Sequence, residues 1–328
     1  MVPKKIILSG MRPTGKLHLG HLVGTLDNWI KLQKEYDCYF MVADWHALMG
    51  EYADPKALSE YAIDNVIDWI SFGIDPEKST LFVQSEVSAH LDLFMIFSCF
   101  TPLGWLERCP TYKEQLREVK TRDLHTYGFL GYPVLQAADI LVYKADKVPV
   151  GDDQLPHLEL TREIARRFNG LYKKEVLPEP DAILTSASRL VGLDGRKMSK
   201  SYNNTINLSD SEEVFKTKTA SMITDPKRIR LSDKGHPEVC NVFSYYTIFA
   251  PEAKEEAADW CRNAKLGCTD CKKRLAVKFN EKLAPYRQKR EELAKSPDSI
   301  RDILRDGNIK ANAVANRTLK DVKEAMGL

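Results

Sequence analysis

An α/β fold with a parallel sheet, followed by a mainly helical domain, is the fold class this sequence predicts, and three observations carry it. Short apolar, β-branched runs alternate with helix-period segments through the first half, the rhythm of strands joined by crossover helices. After about residue 205 the strand signals thin out and segments rich in Ala, Glu, Lys and Leu take over. The length of 328 residues also exceeds the usual single domain.

In chain order, residues 4–8 form the first strand, and Ser9-Gly10 with Pro13-Thr14-Gly15 then turn the chain. Leu19, Leu22, Val23, Leu26, Trp29, Ile30 and Leu32 recur at helical spacing across 18–36, and 39–43 makes a second strand. Asp54 and Pro55 supply an N-cap and a first-turn proline for a helix ending near Gly73, ahead of a buried strand at 81–83. A short helix within 131–143, a strand at 148–150, and a helix opened by Asp153-Gln154-Leu155-Pro156 and closed near Asn169-Gly170 continue the rhythm. Further helices are predicted over 251–264, 271–295 and 311–326. The expected division is 1–200, with an insertion around 100–130, and 201–328.

Charged residues at 29% and apolar ones at 43% describe a folded globular chain and exclude the disordered and collagen-like classes. No stretch approaches the roughly 18 uncharged apolar residues of a membrane span, so a cytoplasmic location is expected. Net charge is only +2, yet 201–328 holds 24 basic against 19 acidic residues. Within 261–290, ten Lys or Arg face only Asp270 and Glu281, a local field that suits a polyanion.

Directly after the first strand, His18-Leu19-Gly20-His21 stands at the mouth of a helix. Exposed backbone N–H groups there attract phosphate, Gly20 allows close approach, and imidazoles can donate to developing charge. Far downstream, Lys197-Met198-Ser199-Lys200-Ser201 follows Gly192-Leu193-Asp194-Gly195-Arg196, placing two lysines in a short polar loop able to meet a leaving pyrophosphate. In order, context and separation the pair resembles the two signature motifs of class I aminoacyl-tRNA synthetases. The resemblance implies a Rossmann-type catalytic domain followed by a helical anticodon-recognition domain.

Within that family, Tyr132-Pro133-Val134-Leu135-Gln136-Ala137-Ala138-Asp139 is similar to the amino-acid-binding helix of the tryptophan-specific branch. A carboxylate at Asp139 could accept an indole N–H, and a site built for that bond rejects analogues lacking it. The segment from Val148 to Arg162 and the run Asp44-Trp45-His46 resemble the same branch. The similarity implies substrate contacts at His46, Tyr132, Gln136, Asp139 and Gln154. It implies ATP contacts at Arg12, Pro13, Thr14, Gly20, His21, Gly151, Asp152, Asp153, Leu190, Lys197, Met198, Ser199, Lys200 and Ser201. Leu8, Arg12, His21 and Gln136 depart from residues common in bacterial members, which have Phe, Gln, Asn and Met there; Gln136 leans toward the tyrosine-specific sister group.

Cys240, Cys261, Cys268 and Cys271 have the spacing C-x20-C-x6-C-x2-C, enough for tetrahedral Zn²⁺ or a [4Fe–4S] cluster. A subset of the tryptophan-specific branch carries an iron–sulfur cluster on similarly spaced cysteines, so the resemblance favours iron–sulfur. Cys38, Cys99 and Cys109 sit in apolar or strand-like surroundings and read as core residues.

The implied reaction has two steps. The carboxylate of L-tryptophan attacks the α-phosphorus of ATP, releasing pyrophosphate; the 3′-terminal ribose hydroxyl of tRNA(Trp) then attacks the adenylate. His18, His21, Lys197 and Lys200 are the expected catalytic residues, Mg²⁺ arrives mainly with ATP, and Lys113 is a further phosphate candidate. The resemblance also implies a homodimer, with the apolar run 94–100 as a candidate face. Competing readings are the tyrosine-specific enzyme, a small nucleotidyltransferase, and a non-catalytic RNA-binding regulator.

Overall fold

The computed structural model describes residues 4–118, 123–184 and 190–328. Five strands, β1 (Ile6–Met11), β2 (Asp37–Val42), β3 (Ser79–Val83), β4 (Lys147–Val150) and β5 (Asp181–Leu184), form one parallel sheet in the order β3-β2-β1-β4-β5. The order reverses at β1, flanked by β2 and β4. Ligands in open α/β sheets bind outside the carboxyl ends of strands at such a switch point.

β1 runs through Ser9-Gly10, where a turn is expected from sequence. Gly10 instead serves close strand approach, since a Cβ there would lie 2.9 Å from the Met41 carbonyl oxygen of β2. The helical stretch after His18 runs from Leu19 to Leu32, with wider π-type turns over Leu22–Leu26. Helix Tyr127–Val142 begins four residues earlier than expected because Thr126 caps it, accepting from the Phe129 N–H. β5 has no counterpart in the sequence reading: its four residues are too few for a periodic signal.

Two compact units emerge, and neither is continuous in sequence. The first comprises Met1–Gly15, Asn28–Ser186 and Ser296–Leu328; the second comprises Lys16–Asp27 and Ala187–Lys295. This differs from a cut near residue 200, for two reasons. Segment 16–27 joins the second unit through backbone pairing: Leu19 N–H donates to Ile206 O and Leu208 N–H to Leu17 O, both at 2.9 Å. The last helix, Pro297–Met326, belongs to the sheet unit, where its small residues Gly307, Ala311 and Ala315 are buried and it packs on β3.

In the sheet unit, Trp29 stacks on Phe40 at 4.2 Å and meets Trp69 edge-on at 5.0 Å. Asn308 of the last helix accepts from Val83 N–H at 2.9 Å, and Asn312 donates to Glu86 O at 2.8 Å. These bonds brace the chain on both sides of Gln84. In the second unit, helix Glu212–Ser221 packs on helix Cys268–Ala294, with Phe215 and Phe279 stacked at 4.4 Å. No helix among the described residues is long and apolar enough to cross a membrane.

Candidate active site

A cavity of about 360 Å³ opens in the sheet unit at the switch point. Leu8, Ser9 and Gly10 of β1, Met41 of β2 and Val148, Pro149 and Val150 of β4 line it, together with Arg12, Met49, Phe129, Tyr132, Gln136, Asp139, Ile140, Gln154 and His157. Its volume lies in the usual range for small-ligand sites. The five residues singled out for amino-acid contact, His46, Tyr132, Gln136, Asp139 and Gln154, all line this one space.

Asp139 is the organising group. Only 2% exposed, its carboxylate accepts at Oδ2 from His46 Nε2 (2.7 Å) and at Oδ1 from both His90 Nδ1 (2.6 Å) and Gln84 Nε2 (2.8 Å). Burial by itself would raise its pKa, but His46 and His90 outweigh that and hold it at about 2. The carboxylate therefore stays an acceptor throughout the neutral range. His90 is fully buried and meets the Tyr143 hydroxyl through Nε2 at 2.9 Å. Gln84 is also fully buried, and its Oε1 accepts from the backbone of Trp45 at 3.1 Å. Tyr132 is held through its hydroxyl by His157 Nε2 at 3.1 Å, and burial pushes the His157 pKa down to about 4.

Sequence reasoning did not single out Gln84, His90, Tyr143 or His157 as site residues. One signal was available: His90 is a lone imidazole in the apolar helix Ala89–Ser98.

The two nucleotide motifs both lie in the second unit. His18 caps its helix: its Nδ1 accepts from Gly20 N–H at 3.1 Å, and His21 Nδ1 accepts from His18 N–H at 3.1 Å, a reciprocal capping box built from two imidazoles. With each Nδ1 accepting, the neutral ring must carry its proton on Nε2. Burial and the nearby Lys200 ammonium lower His18 to about 4; burial, His18 and Lys200 also lower His21.

The lysine loop begins as a small hairpin. Met198 N–H donates to Leu190 O (3.1 Å), Gly192 N–H to Arg196 O (2.7 Å), and Gly195 turns at φ +79°. Buried Asn204 ties the loop together, with Oδ1 accepting from Ser199 N–H (2.9 Å) and Nδ2 donating to Asp194 (2.7 Å) and Lys197 O (3.2 Å). Lys197 is exposed and Lys200 half-buried; the Ser201 side chain lies outside the described residues.

Of the other ATP candidates, Pro13 is buried and Thr14 half-buried after β1. Gly151, Asp152 and Asp153 follow β4 in a short 3-10 turn with both carboxylates exposed. Lys113 is exposed on helix Pro110–Glu118 and does not line the cavity.

Residues 3–284 match the family described as tRNA synthetases class I (W and Y). The chain belongs to this family. It is 52% identical to the tryptophan–tRNA ligase of Thermotoga maritima, over 98% of this chain and 99% of the relative, and 42% identical to that of Lactococcus lactis, over 99% and 98%. Among solved structures, a tryptophanyl-tRNA synthetase from Campylobacter jejuni in complex with ADP and tryptophan superimposes with a TM-score of 0.90 at 33% identity, over 98% of this chain and 100% of that one.

In this class I synthetase, Cys240, Cys261, Cys268 and Cys271 line a second cavity, together with Arg228, Tyr246 and Trp260. The cysteines are unbridged. Arg228 approaches Cys268 Sγ at 4.0 Å and donates to Leu266 O at 2.9 Å, and a Cβ at Gly235 would meet Cys261 Sγ. Among the described residues, no three His, Cys, Asp or Glu form a group that could hold a single metal ion.

Proposed function

We propose that this synthetase activates L-tryptophan with ATP and transfers it to the 3′ end of tRNA(Trp). The observation that carries the reading is the buried, ionised Asp139 carboxylate lining a cavity at the sheet's switch point, in a chain 52% identical to a tryptophan–tRNA ligase. Asp139 accepts the indole N–H. Tyr132, Gln136 and Gln154 orient the polar end of the amino acid, and His46 flanks Asp139.

No protein nucleophile is needed, because the substrate carboxylate itself attacks the α-phosphorus. His18 and His21 offer neutral Nε2–H donors to the phosphates, and Lys197 and Lys200 offset the charge on departing pyrophosphate. Arg12, Pro13, Thr14, Gly20, Gly151, Asp152, Asp153, Leu190, Met198, Ser199 and Ser201 complete the ATP contacts, with Mg²⁺ arriving on the nucleotide.

Cys240, Cys261, Cys268 and Cys271 would hold a [4Fe–4S] cluster. Four thiols around one space support this, as does a guanidinium suited to an anionic cluster. Zinc is the alternative, since four thiolates also suit a tetrahedral ion. The basic segment 261–290 meets the anticodon arm of the tRNA, and the chain works as a homodimer.

ATP–pyrophosphate exchange with each amino acid supplied separately tests the activity. Exchange with tryptophan alone, abolished in Asp139→Ala, is expected; exchange driven by tyrosine would overturn the reading. Iron and sulfide analysis of anaerobically purified protein, with its visible spectrum, tests the cluster, and zinc without iron would refute it.

A further inference from the structure

We infer that His90 is a positioning residue for amino-acid selection, fixing the Asp139 carboxylate so that only Oδ2 keeps an acceptor site for the substrate; this rests on the reading of Asp139 as the indole partner. A carboxylate offers about four lone-pair sites, two on each oxygen. Among the described residues, Oδ1 of Asp139 is filled by two donors, His90 Nδ1 and Gln84 Nε2, whereas Oδ2 receives His46 alone. One acceptor site therefore remains, and it lies on Oδ2.

His90 can hold the carboxylate in this orientation because it cannot itself turn. It is fully buried and gripped at Nε2 by Tyr143, whose ring stacks on Tyr39 at 4.9 Å and meets Phe82 at 5.4 Å. His90 does not line the cavity and so acts only through Asp139. Removing its Nδ1–H opens an acceptor site on Oδ1 and frees the carboxylate to rotate. The single directed bond to an indole N–H then becomes one of several poorly aimed ones.

The test compares kcat/KM in pyrophosphate exchange for tryptophan and for its benzothiophene analogue, which has sulfur in place of the indole N–H. His90→Asn places an amide N–H where Nδ1 stood, and His90→Gln places one where Nε2 stood. His90→Asn should keep the tryptophan-to-analogue ratio within about 3-fold of wild type, while His90→Gln and His90→Leu should lower it about 10- to 100-fold, the worth of a hydrogen bond to a charged group. The loss should fall on KM for tryptophan, with kcat little changed. A purely structural role would lower melting temperature and both substrates together and leave the ratio intact.

An unchanged ratio in soluble His90→Gln overturns the inference, as does an equal fall in His90→Asn. Should His90→Leu fail to fold, the Asn and Gln pair decides. Asp139→Asn separates the two claims: if it keeps the wild-type ratio, the indole reading itself is wrong. If it loses the ratio while His90→Gln keeps it, only the role of His90 is wrong.

Discussion

Replacing Gly307 by alanine should destabilise the sheet unit and weaken tryptophan binding together. A Cβ at 307 would overlap the carbonyl oxygen and carbon of Leu81 in β3. These are backbone atoms, so no rotamer change relieves the clash and the last helix must lift. Helix propensity favours alanine over glycine by about 1 kcal/mol. Against that stand overpacking, which costs about 1–3 kcal/mol, and the weakening of the Asn308–Val83 and Asn312–Glu86 bonds, each worth about 1 kcal/mol. The balance is a loss of about 2 kcal/mol, or a melting temperature about 4–8 °C lower for a unit of this size. Both bonds flank Gln84, which holds Asp139 Oδ1, so KM for tryptophan should rise several-fold. Gly170→Ala is the control, because a Cβ there meets nothing within 4 Å; it should be neutral or slightly stabilising. Calorimetry and pyrophosphate exchange on both variants decide the matter, and a Gly307→Ala protein melting at or above Gly170→Ala would refute the close-packing argument.

Asn204→Ala removes three ties from the lysine loop and should lower kcat/KM for ATP about 10- to 100-fold while leaving KM for tryptophan unchanged; a larger effect on tryptophan would contradict this. Stability should fall with acid through His18: its folded pKa of about 4 lies below the unfolded 6.5, so the unfolded chain takes up the proton first. Stability is complete above about pH 6.5, is lost as pH falls toward 4, and levels off below, by at most about 3 kcal/mol. His18→Asn, which keeps a capping oxygen, should flatten that slope in urea unfolding between pH 7 and 4.5, and parallel curves would count against it. On the proposal that the four cysteines hold an iron–sulfur cluster, Cys268→Ser should remove iron and visible absorbance and impair tRNA charging more than pyrophosphate exchange; equal losses would count against a role in charging.

Strands β1 to β4 were legible because each contains a short apolar run, and the helices Leu58–Phe72, Leu155–Tyr172, Lys254–Arg262 and Cys268–Ala294 because of their periodicity or composition, whereas Asp44–Glu51, Ala89–Ser98, Glu212–Ser221 and Asn241–Phe249 were not read from the sequence. What the sequence hid was decided by contacts distant in the chain. The first half of the last helix contains Gly307 and Asn308, poor helix formers in isolation, and only close packing on β3 and the bond to Val83 explain them. Asp139 stood out as a carboxylate on an apolar helix. Its partners Gln84 and His90 lie 55 and 49 residues away; Gln84 carries no local mark of the role, and His90 only that of a lone imidazole in an apolar helix. The grouping of 16–27 with 187–295 likewise depends on backbone bonds such as Leu19 to Ile206, which no periodicity announces.

That grouping accounts for how the two histidines would serve the proposed reaction of anions without carrying charge. Each imidazole spends its Nδ1 on a backbone N–H at the helix start, which fixes the ring and leaves the proton on Nε2. Because segment 16–27 and the lysine loop belong to one unit, Lys200 is close enough to depress both histidines further than burial alone would. A protonated pair would repel each other, their rings being only 3.9 Å apart, and would weaken the cap at the helix's positive end. On the proposed function the lysines supply the positive charge, and Lys200 adds to burial in keeping the histidines neutral. Fixed neutral donors cost no reorganisation as charge develops on the phosphates, which is the condition under which a hydrogen-bond donor contributes most to a transition state.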